Sequence, residues 1–370
     1  MEPNRDPSPP ASGSGFEIRP CAAEDRPAQV ELFEACFGHG DGAGVLAWRY
    51  DRCPHGVPVC LLGSLDGQAI SGYACNPRRL GWDEAGQVVG QTGDVMTLPE
   101  ARGAGYFSRL DRRAMELVHG RDWPVVFGLP NRQSARIFME RLGWKGVGQL
   151  QPWTLVLRSG PVARRERLRA GRLASWLSPL AARRAQRVLA RLANQARSFV
   201  VEPVERFDRW VEPIGRAVAE RYVWMVRRDA DYLNWRFFEG PNSRFSALRV
   251  LDRAGEPVGY GVVQRPVDAA DGVGYLVDLV ATSEDAQGAV LAAAVEQLAA
   301  RGARVVRAHA ITGSDWQAFL RNHAFQPPKP EDAKWVIAYV HQSEHPLAQA
   351  ALDPTRWFFT DADRDDELVR

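Results

Sequence analysis

The spacing of apolar residues in the first half of the chain predicts alternating strands and helices. Residues 58–64 and 68–75 suit two strands joined by a hairpin turn at Asp66-Gly67, and residues 24–37 carry apolar side chains at helical spacing. The pattern further predicts a strand over 16–19, a strand over 88–98, a helix near 105–119, a strand over 124–128, a helix over 132–142 and a closing strand over 147–157. This order indicates a mixed α/β fold.

The second half repeats landmarks of the first half at nearly constant spacing. Trp48 and Trp235 each begin a Trp-Arg-aromatic triplet, and each is followed by a proline six residues later and by a Gly-Tyr pair 24 residues later. The strand around Asp94 then corresponds to the strand around Asp278. We therefore predict two tandem copies of one fold. The triplets could line an acceptor pocket, although packing of a helix on the sheet is the commoner role for such residues.

A basic segment separates the two copies. Residues 158–200 contain eleven arginines and one acid, Glu166, a net charge of +10 that leaves −8 for the rest of the chain. Apolar stripes within it predict one or two amphipathic helices that connect the domains. Such helices could contact an anionic membrane or RNA, or could be solvated and neutralised by the acidic domains. The predicted organisation is a disordered lead over 1–15, a first domain over 16–158, the connector over 159–198, a second domain over 199–345 and a tail over 346–370.

Composition excludes several classes of protein. The chain has 370 residues, 45% of them hydrophobic, which suffices for two globular cores. Its net charge of +2 gives no general nucleic-acid signal. The five cysteines lack metal-ligand spacing and are expected to be reduced thiols, so no metal is predicted. Without a signal peptide or an apolar run long enough to span a bilayer, we expect a cytoplasmic protein.

The stretch from Asp94 to Leu110, DVMTLPEARGAGYFSRL, carries the candidate chemistry. It predicts a strand, a tight turn and the first residues of a helix. Glycines at 103 and 105 allow the backbone to approach a ligand closely, and unpaired amides at a helix N-terminus favour phosphate. Arg102 adds a guanidinium at the rim. An ordinary strand-to-helix turn would have the same local features.

This stretch resembles motif A of the GNAT acyltransferases, in which Arg/Gln-x-x-Gly-x-Gly/Ala follows a strand. Arg102 and Gly105 match its first and fourth positions. Asn131 and Ser134, followed by Leu142-Gly143-Trp144, resemble the family's downstream Asn-x-x-Ser/Ala and Leu-Gly-Phe segment. The resemblance implies the GNAT fold, with acyl-CoA wedged between the fourth and fifth strands of a splayed mixed sheet.

The resemblance also implies roles for individual residues. Asp94 is the candidate general base that takes the proton from an amine. The implied cofactor-binding residues are the strand positions Met96, Thr97 and Leu98, the pyrophosphate-cradling positions Arg102, Gly103, Ala104, Gly105, Tyr106, Phe107 and Ser108, and the downstream positions Asn131 and Ser134.

The sequence departs from the family pattern at several positions. Phe107 stands where the family usually has Gly or Ala, and could narrow the space beside the pyrophosphate. Met139 stands where a Tyr often protonates the leaving thiolate, with Phe138 beside it. After Asp278 the second copy has no Arg-x-x-Gly, so we predict that it is degenerate. His309, at the end of an apolar strand, is expected to be a satisfied core histidine.

These observations predict an N-acyltransferase that moves an acetyl or short acyl group from acetyl-CoA, or a related acyl-CoA, to a primary amine of a small molecule or amino sugar. Two alternatives remain open. One is a tandem-GNAT transferase that uses aminoacyl-tRNA and contacts it through the basic connector, although an intact phosphate cradle argues against this. The other is a scaffold that binds acyl-CoA without turning it over.

Overall fold

Twelve strands form one continuous sheet in the computed structural model, which describes residues 15–38, 41–82, 86–158, 178–241, 243–266, 272–328 and 333–364. The strands are β1 Phe16–Pro20, β2 Val59–Leu65, β3 Gln68–Leu80, β4 Gln87–Thr97, β5 Val125–Gly128, β6 Lys145–Val156, β7 Val200–Val204, β8 Phe245–Leu251, β9 Pro257–Gln264, β10 Val273–Ala281, β11 Val305–Ile311 and β12 Lys334–Val340. The predicted mixed α/β class is confirmed.

Ten α-helices lie among the described residues. They are α1 Arg26–Phe37, α2 Gly42–Leu46, α3 Tyr106–His119, α4 Arg132–Arg141, α5 Ser178–Gln195, α6 Val211–Ala219, α7 Ala230–Phe237, α8 Glu284–Ala300, α9 Asp315–Asn322 and α10 Pro346–Ala351. A π-turn, Ala47–Asp51, continues α2. The predicted lead over 1–15 falls outside the described residues except for residue 15, as do residues 159–177 of the predicted connector.

Strand β3 extends five residues beyond the predicted end at residue 75. Its added part contains Asn76 and Arg78, which are polar and yet only 4% and 7% exposed. Arg78 Nε donates to Gln91 Oε1 at 2.7 Å, so its charge is buried with a partner. The apolar pattern in the sequence stops at residue 75, before the strand ends, because the next part of the strand buries polar side chains that have hydrogen-bond partners.

The two copies exchange their last strands. The sheet order is β1-β2-β3-β4-β5-β12-β6-β11-β10-β9-β8-β7, so β12 lies between β5 and β6, and β6 lies between β12 and β11. Each copy's last strand therefore pairs with the other copy's fifth strand. Neither sequence range, 16–158 or 199–345, contains all the strands that complete its own part of the sheet. The predicted domain boundaries stay a prediction.

The corresponding tryptophans of the two copies meet across the interface. Trp48 and Trp235 stack with ring centroids 4.4 Å apart and planes 11° apart. Trp48 Nε1 donates to the Trp235 carbonyl at 2.8 Å, and Trp235 Nε1 donates to the Trp48 carbonyl at 2.9 Å. This reciprocal contact is what an internal two-fold relation between duplicated units produces. The tryptophans of the predicted duplication therefore pack against each other.

The first copy's core packs α3 and α4 against β2, β3, β5 and β12. In the second copy, α8 covers β8 to β10, and α5 packs on α8. A third cluster joins the copies and contains Trp48, Trp235 and the aromatic residues Trp357, Phe358 and Phe359 of the tail. The fold thus places the N-termini of α3 and α8 at corresponding positions of the two copies.

Candidate functional site

Strand β4 carries a bulge at the centre of the candidate site. Gly72 pairs with Met96 and Ala74 pairs with Gly93, so two residues of β4, Asp94 and Val95, oppose a single residue of β3. Asp94 has a φ of +48°, in the left-handed region that Asp tolerates better than most residues. The bulge turns the Asp94 side chain towards the helical segment that follows α2.

Two residues of the Trp-Arg-Tyr triplet hold Asp94. Its Oδ1 forms an ion pair with Arg49 Nη1, and its Oδ2 accepts a hydrogen bond from the Tyr50 hydroxyl at 3.0 Å. Burial, together with the nearby Asp94 charge, raises the pKa of Tyr50 well above its usual range, so the hydroxyl keeps its proton. The sequence favoured a packing role for this triplet. Its second and third residues, Arg49 and Tyr50, instead bind the carboxylate of the candidate base. The recurrence of the triplet at 235–237 was the only sequence feature that drew attention to these two residues.

The turn before α3 has the geometry of an anion cradle. Gly103 and Gly105 have φ angles of +90° and +81°, and a Cβ added to either would meet no atom within 4 Å. Gly105 is the N-cap of α3, and its carbonyl accepts from Arg109 N. The amides from 103 to 108 have no backbone acceptor among the described residues. Six amides without a backbone acceptor, a helix N-terminus and open space beside two glycines fit the diphosphate of a coenzyme A ester.

Strands β4 and β5 diverge beside this cradle. They pair in parallel only from Gly90 to Thr92 and from Val126 to Gly128. Beyond Thr92, the β4 backbone edge that faces away from β3 has no strand partner among the described residues. Thr97 ends β4, and its carbonyl accepts from Arg102 Nε at 3.2 Å, which fixes the turn relative to the strand.

The remaining predicted cofactor residues occupy different environments. Met96 is 3% exposed, with its side chain packed towards α1, so only its backbone faces the opening. Leu98 N donates to the Ile70 carbonyl at 3.0 Å. Asn131 is the N-cap of α4, where its Oδ1 accepts from Gln133 N, Ser134 N and Ser134 Oγ. Asn131 therefore uses its oxygen to hold the helix, and its Nδ2 group is the part left to reach a ligand. The assignment of these residues to the cofactor stays a prediction.

Residues near the predicted position of the catalytic acid are apolar. Phe138 is buried, and Met139 lies in the same cluster between α4 and the sheet. Phe107 packs edge-on against Phe138, with ring centroids 5.0 Å apart, and thus joins α3 to α4 while its amide stays in the cradle. Tyr106 stacks on Phe16 at 4.1 Å.

The five cysteines are free thiols. Burial raises the pKa of Cys21 to about 11 and raises the pKa of Cys60 and Cys75 further, so they stay protonated at neutral pH. In the described part of the chain, no group of three or more His, Cys, Asp or Glu side chains could hold a metal ion.

The described part of the basic connector is α5. Its Ala185 and Leu192 are buried against the second copy, and the exposed side carries Arg183, Arg184 and Arg187. The apolar face of α5 from Ala185 to Leu192 therefore packs within the protein, whereas Leu180 at the start of the helix is exposed. No helix in the described ranges is long and apolar enough to span a bilayer.

Comparisons with known proteins agree with this geometry. Residues 17–147 match the family described as Acetyltransferase (GNAT) domain. No curated protein matches the sequence significantly. A probable N-acyltransferase of unknown function from Enterococcus faecalis is 11% identical, with a TM-score of 0.62 over 90% of this chain and 74% of that chain.

Two further solved structures share the fold. A GCN5-related N-acetyltransferase from Anabaena variabilis is 12% identical, with a TM-score of 0.62 over 88% of this chain and 72% of that chain. A tandem GNAT protein from the clavulanic acid biosynthesis pathway is 13% identical, with a TM-score of 0.53 over 88% of this chain and 98% of that chain. Residues 17–147 are therefore similar to GNAT acetyltransferase domains, and the chain as a whole shares the fold of these solved structures, one of which is a tandem GNAT protein.

Proposed function

We propose that this protein is an N-acyltransferase that moves an acetyl or other short acyl group from acyl-CoA to a primary amine of a small molecule or amino sugar. The observation that carries this proposal is the cradle, in which consecutive amides from Gly103 to Ser108 have no backbone acceptor among the described residues, and the space beside Gly103 and Gly105 is open. Phosphate oxygens would supply the missing acceptors, and the positive end of the α3 dipole would favour their charge.

The same residues define how an acyl-CoA would be held. The cradle and Arg102 would bind the diphosphate, and the open edge of β4 beyond Thr92 would pair with the pantetheine arm. Acyl-CoA supplies an activated thioester for direct attack by the amine. The protein's part is to align the amine with that thioester and to polarise its carbonyl with a backbone amide.

Asp94 is the proposed proton acceptor. It is 9% exposed, so the proton of the amine would reach it through a water molecule. This restricted access favours a slender amine on a small acceptor over a side chain on a folded protein surface. Arg49 and Tyr50 would position the carboxylate, and Tyr50 would remain neutral while doing so.

Calorimetry with acetyl-CoA tests cofactor binding. We expect Gly105→Trp to weaken binding at least about tenfold, a cost of about 1.4 kcal/mol, because the ring would fill the cradle. Gly255→Trp is the matched control, since Gly255 also has a positive φ, of +86°, and no atom within 4 Å of an added Cβ. Equal affinity of the two variants, or no binding by the wild type at millimolar acetyl-CoA, would refute the cradle.

Release of free CoA in the presence of a panel of amines tests turnover. Asp94→Asn keeps the shape of the side chain and removes the base, so we expect kcat to fall about 100-fold while the dissociation constant of acetyl-CoA stays the same. Wild-type binding without CoA release on any amine would favour the scaffold alternative instead.

A further inference from the structure

The second copy contains a cleft that corresponds to the proposed cofactor cleft. Strands β10 and β11 pair in parallel from Val273 to Tyr275 and from Val305 to Arg307, and then diverge as β4 and β5 do. In the second copy the opening is filled. Residues 357–364, here called the C-terminal segment, are all buried, and Thr360 and Asp361 contact its walls.

The C-terminal segment binds both walls of this cleft. Thr360 Oγ1 donates to Asp278 Oδ1 on β10 at 2.7 Å. The amide of His309 on β11, two residues beyond the last paired residue, donates to Asp361 Oδ2 at 3.0 Å. Two side chains of the segment thus form hydrogen bonds with β10 and β11 at the place where these strands are no longer hydrogen-bonded to each other.

A buried ionic network fixes the segment. Arg228 is fully buried and donates to Asp363 at 3.0 and 2.7 Å and to Asp278 at 3.3 Å. Arg364 donates to Asp361 Oδ1 at 2.9 Å. Removing the segment would leave Arg228 with only Asp278 and a backbone carbonyl in the interior, which is costly for a buried charge.

His309 belongs to the same network. Its Nδ1 lies 2.8 Å from Asp361 Oδ1 and 2.7 Å from Arg364 Nη1. Burial and the Arg364 charge lower the pKa of His309 to about 4, so it is neutral at physiological pH. Its contacts are to the C-terminal segment, and it is therefore a buried partner of that segment.

The duplicated arginines show how the two clefts differ. Arg49 of the first copy pairs with Asp94. Its counterpart Arg236 donates instead to the carbonyls of Ala362, at 2.8 Å, and Arg364, at 2.5 Å. The second copy has thus turned the corresponding guanidinium towards the backbone of the C-terminal segment.

The outer part of the second cleft is also unlike the first. Helix α8 begins with Glu284 and Asp285 in its first turn, and Ser283 Oγ accepts from Ala286 N at 3.2 Å. A cavity of about 550 Å³ remains between this turn and α9, with Phe358 of the C-terminal segment in its wall. Three carboxylates, of Glu284, Asp285 and Asp315, line this cavity together with Arg191 and Arg221. A diphosphate placed there would therefore meet acidic side chains and would lack the glycine turn of the first copy.

We propose that the second cleft is a peptide-binding site whose built-in ligand is the chain's own residues 357–364, and that each chain consequently binds one acyl-CoA, in the first copy only. The part of the inference that concerns acyl-CoA rests on the proposed function. The segment carries the groups that this site binds. Thr360 and Asp361 form hydrogen bonds with the two strands, and Asp363 pairs with the buried Arg228. The aromatic rings of residues 357–359 pack in the core between the copies.

Stoichiometry of acetyl-CoA binding to the full-length chain tests the count. One equivalent in the wild type, lost in Gly105→Trp and kept in Gly255→Trp, supports the inference. Two equivalents, or one equivalent that survives Gly105→Trp, would overturn it. No binding by the wild type would overturn the proposed function and leave the peptide site to be judged by the next measurement.

Hydrogen exchange of the full-length chain tests the peptide site. We expect slow exchange of the amides of Thr360, Asp363 and His309 in the wild type. Asp361→Ala removes the acceptor for the His309 amide and a partner of Arg364, so exchange in the C-terminal segment and in β11 should accelerate at least about tenfold. Asp353→Ala also removes an acceptor, that of the Thr355 amide, but contacts neither wall of the cleft. It is the matched control and should leave the exchange of β11 unchanged.

A milder variant guards against a general loss of structure. Asp361→Asn keeps one oxygen acceptor and should accelerate the same two regions by a smaller factor. If residues 357–364 exchange as fast as an unprotected peptide in the wild type, or if Asp361→Ala and Asp353→Ala behave alike, the peptide site is wrong.

Discussion

Replacement of Trp48 or Trp235 by Phe probes the contact that joins the two copies. Each substitution removes one indole N–H and keeps an aromatic ring in place. Because the hydrogen bonds are reciprocal, Trp48→Phe leaves the Trp235 carbonyl without its donor, and Trp235→Phe does the same to the Trp48 carbonyl. The two perturbations are therefore near mirror images.

The expected cost follows from burial. Trp48 and Trp235 are 2% and 3% exposed, so water cannot replace the lost donor. A buried acceptor left unpaired costs about 1–3 kcal/mol, and loss of indole atoms from a packed core adds about 1 kcal/mol. We expect each variant to lose about 2–4 kcal/mol of unfolding free energy. The stacked rings should add a coupling of about 0.5–1.5 kcal/mol in the double-mutant cycle.

Urea unfolding measures the cost of each single variant, and the double variant completes the cycle that gives the coupling energy. Unfolding is followed by far-ultraviolet circular dichroism and by fluorescence. Trp82→Phe is the control, since the Trp82 indole nitrogen is buried without a hydrogen-bond partner in the described residues and should cost about 1 kcal/mol or less. The reasoning fails if either interface variant costs no more than this control. It also fails if one substitution is severe and the other neutral, because the contact is reciprocal.

Three further predictions concern other parts of the molecule. Burial raises the pKa of Asp111 to about 6, so the folded state holds a proton that the unfolded chain releases near pH 4. Stability should therefore fall by about 2 kcal/mol as the pH rises from 4 to 7. In urea titrations, the unfolding free energy of Asp111→Asn relative to that of the wild type should rise by this amount between pH 4 and pH 7. If the difference in unfolding free energy stays constant over this range, the raised pKa of Asp111 is wrong. Tyr50→Phe removes the 3.0 Å hydrogen bond to Asp94, so steady-state kinetics should show kcat about tenfold lower with the KM for acetyl-CoA unchanged. A raised KM with normal kcat would argue against a positioning role. Arg183, Arg184 and Arg187 lie on the exposed side of α5, so any sedimentation with anionic vesicles should depend on charge and disappear in high salt or in the triple glutamate variant. Binding that resists salt would indicate apolar insertion instead.

Local features of the sequence anticipated the local structure well. Apolar periodicity placed the first-half strands and helices, because burial of one face imposes a period on neighbouring residues. The glycines at 103 and 105 indicated the turn before α3, since both adopt positive φ angles there. The repeated triplets indicated the duplication, and Trp48 and Trp235 indeed pack against each other.

Contacts between distant parts of the chain were missed. The repeat of their triplet singled out Arg49 and Tyr50, but nothing in its spacing predicted that they hold Asp94, because a bulge in β4 turns the Asp94 side chain towards them. It predicted Asn131 as a ligand contact, and the structure shows its oxygen used as a helix cap. The partners of Asp94 and of the Asn131 oxygen depend on which donors lie nearest to these acceptors in the folded chain. Spacing along the sequence does not reveal which donors those are.

The sequence by itself determined where the chain can form a tight glycine turn before a helix, which segments of the first half are strands and helices, and that one unit occurs twice. Only the tertiary structure decided that β6 and β12 change places and that residues 357–364 enter the second cleft. Both events pair surfaces separated by more than 50 residues. Strand order and cleft occupancy are set by complementarity of shape and charge between such surfaces, and a local pattern of apolar residues is the same whichever neighbour the strand finally meets.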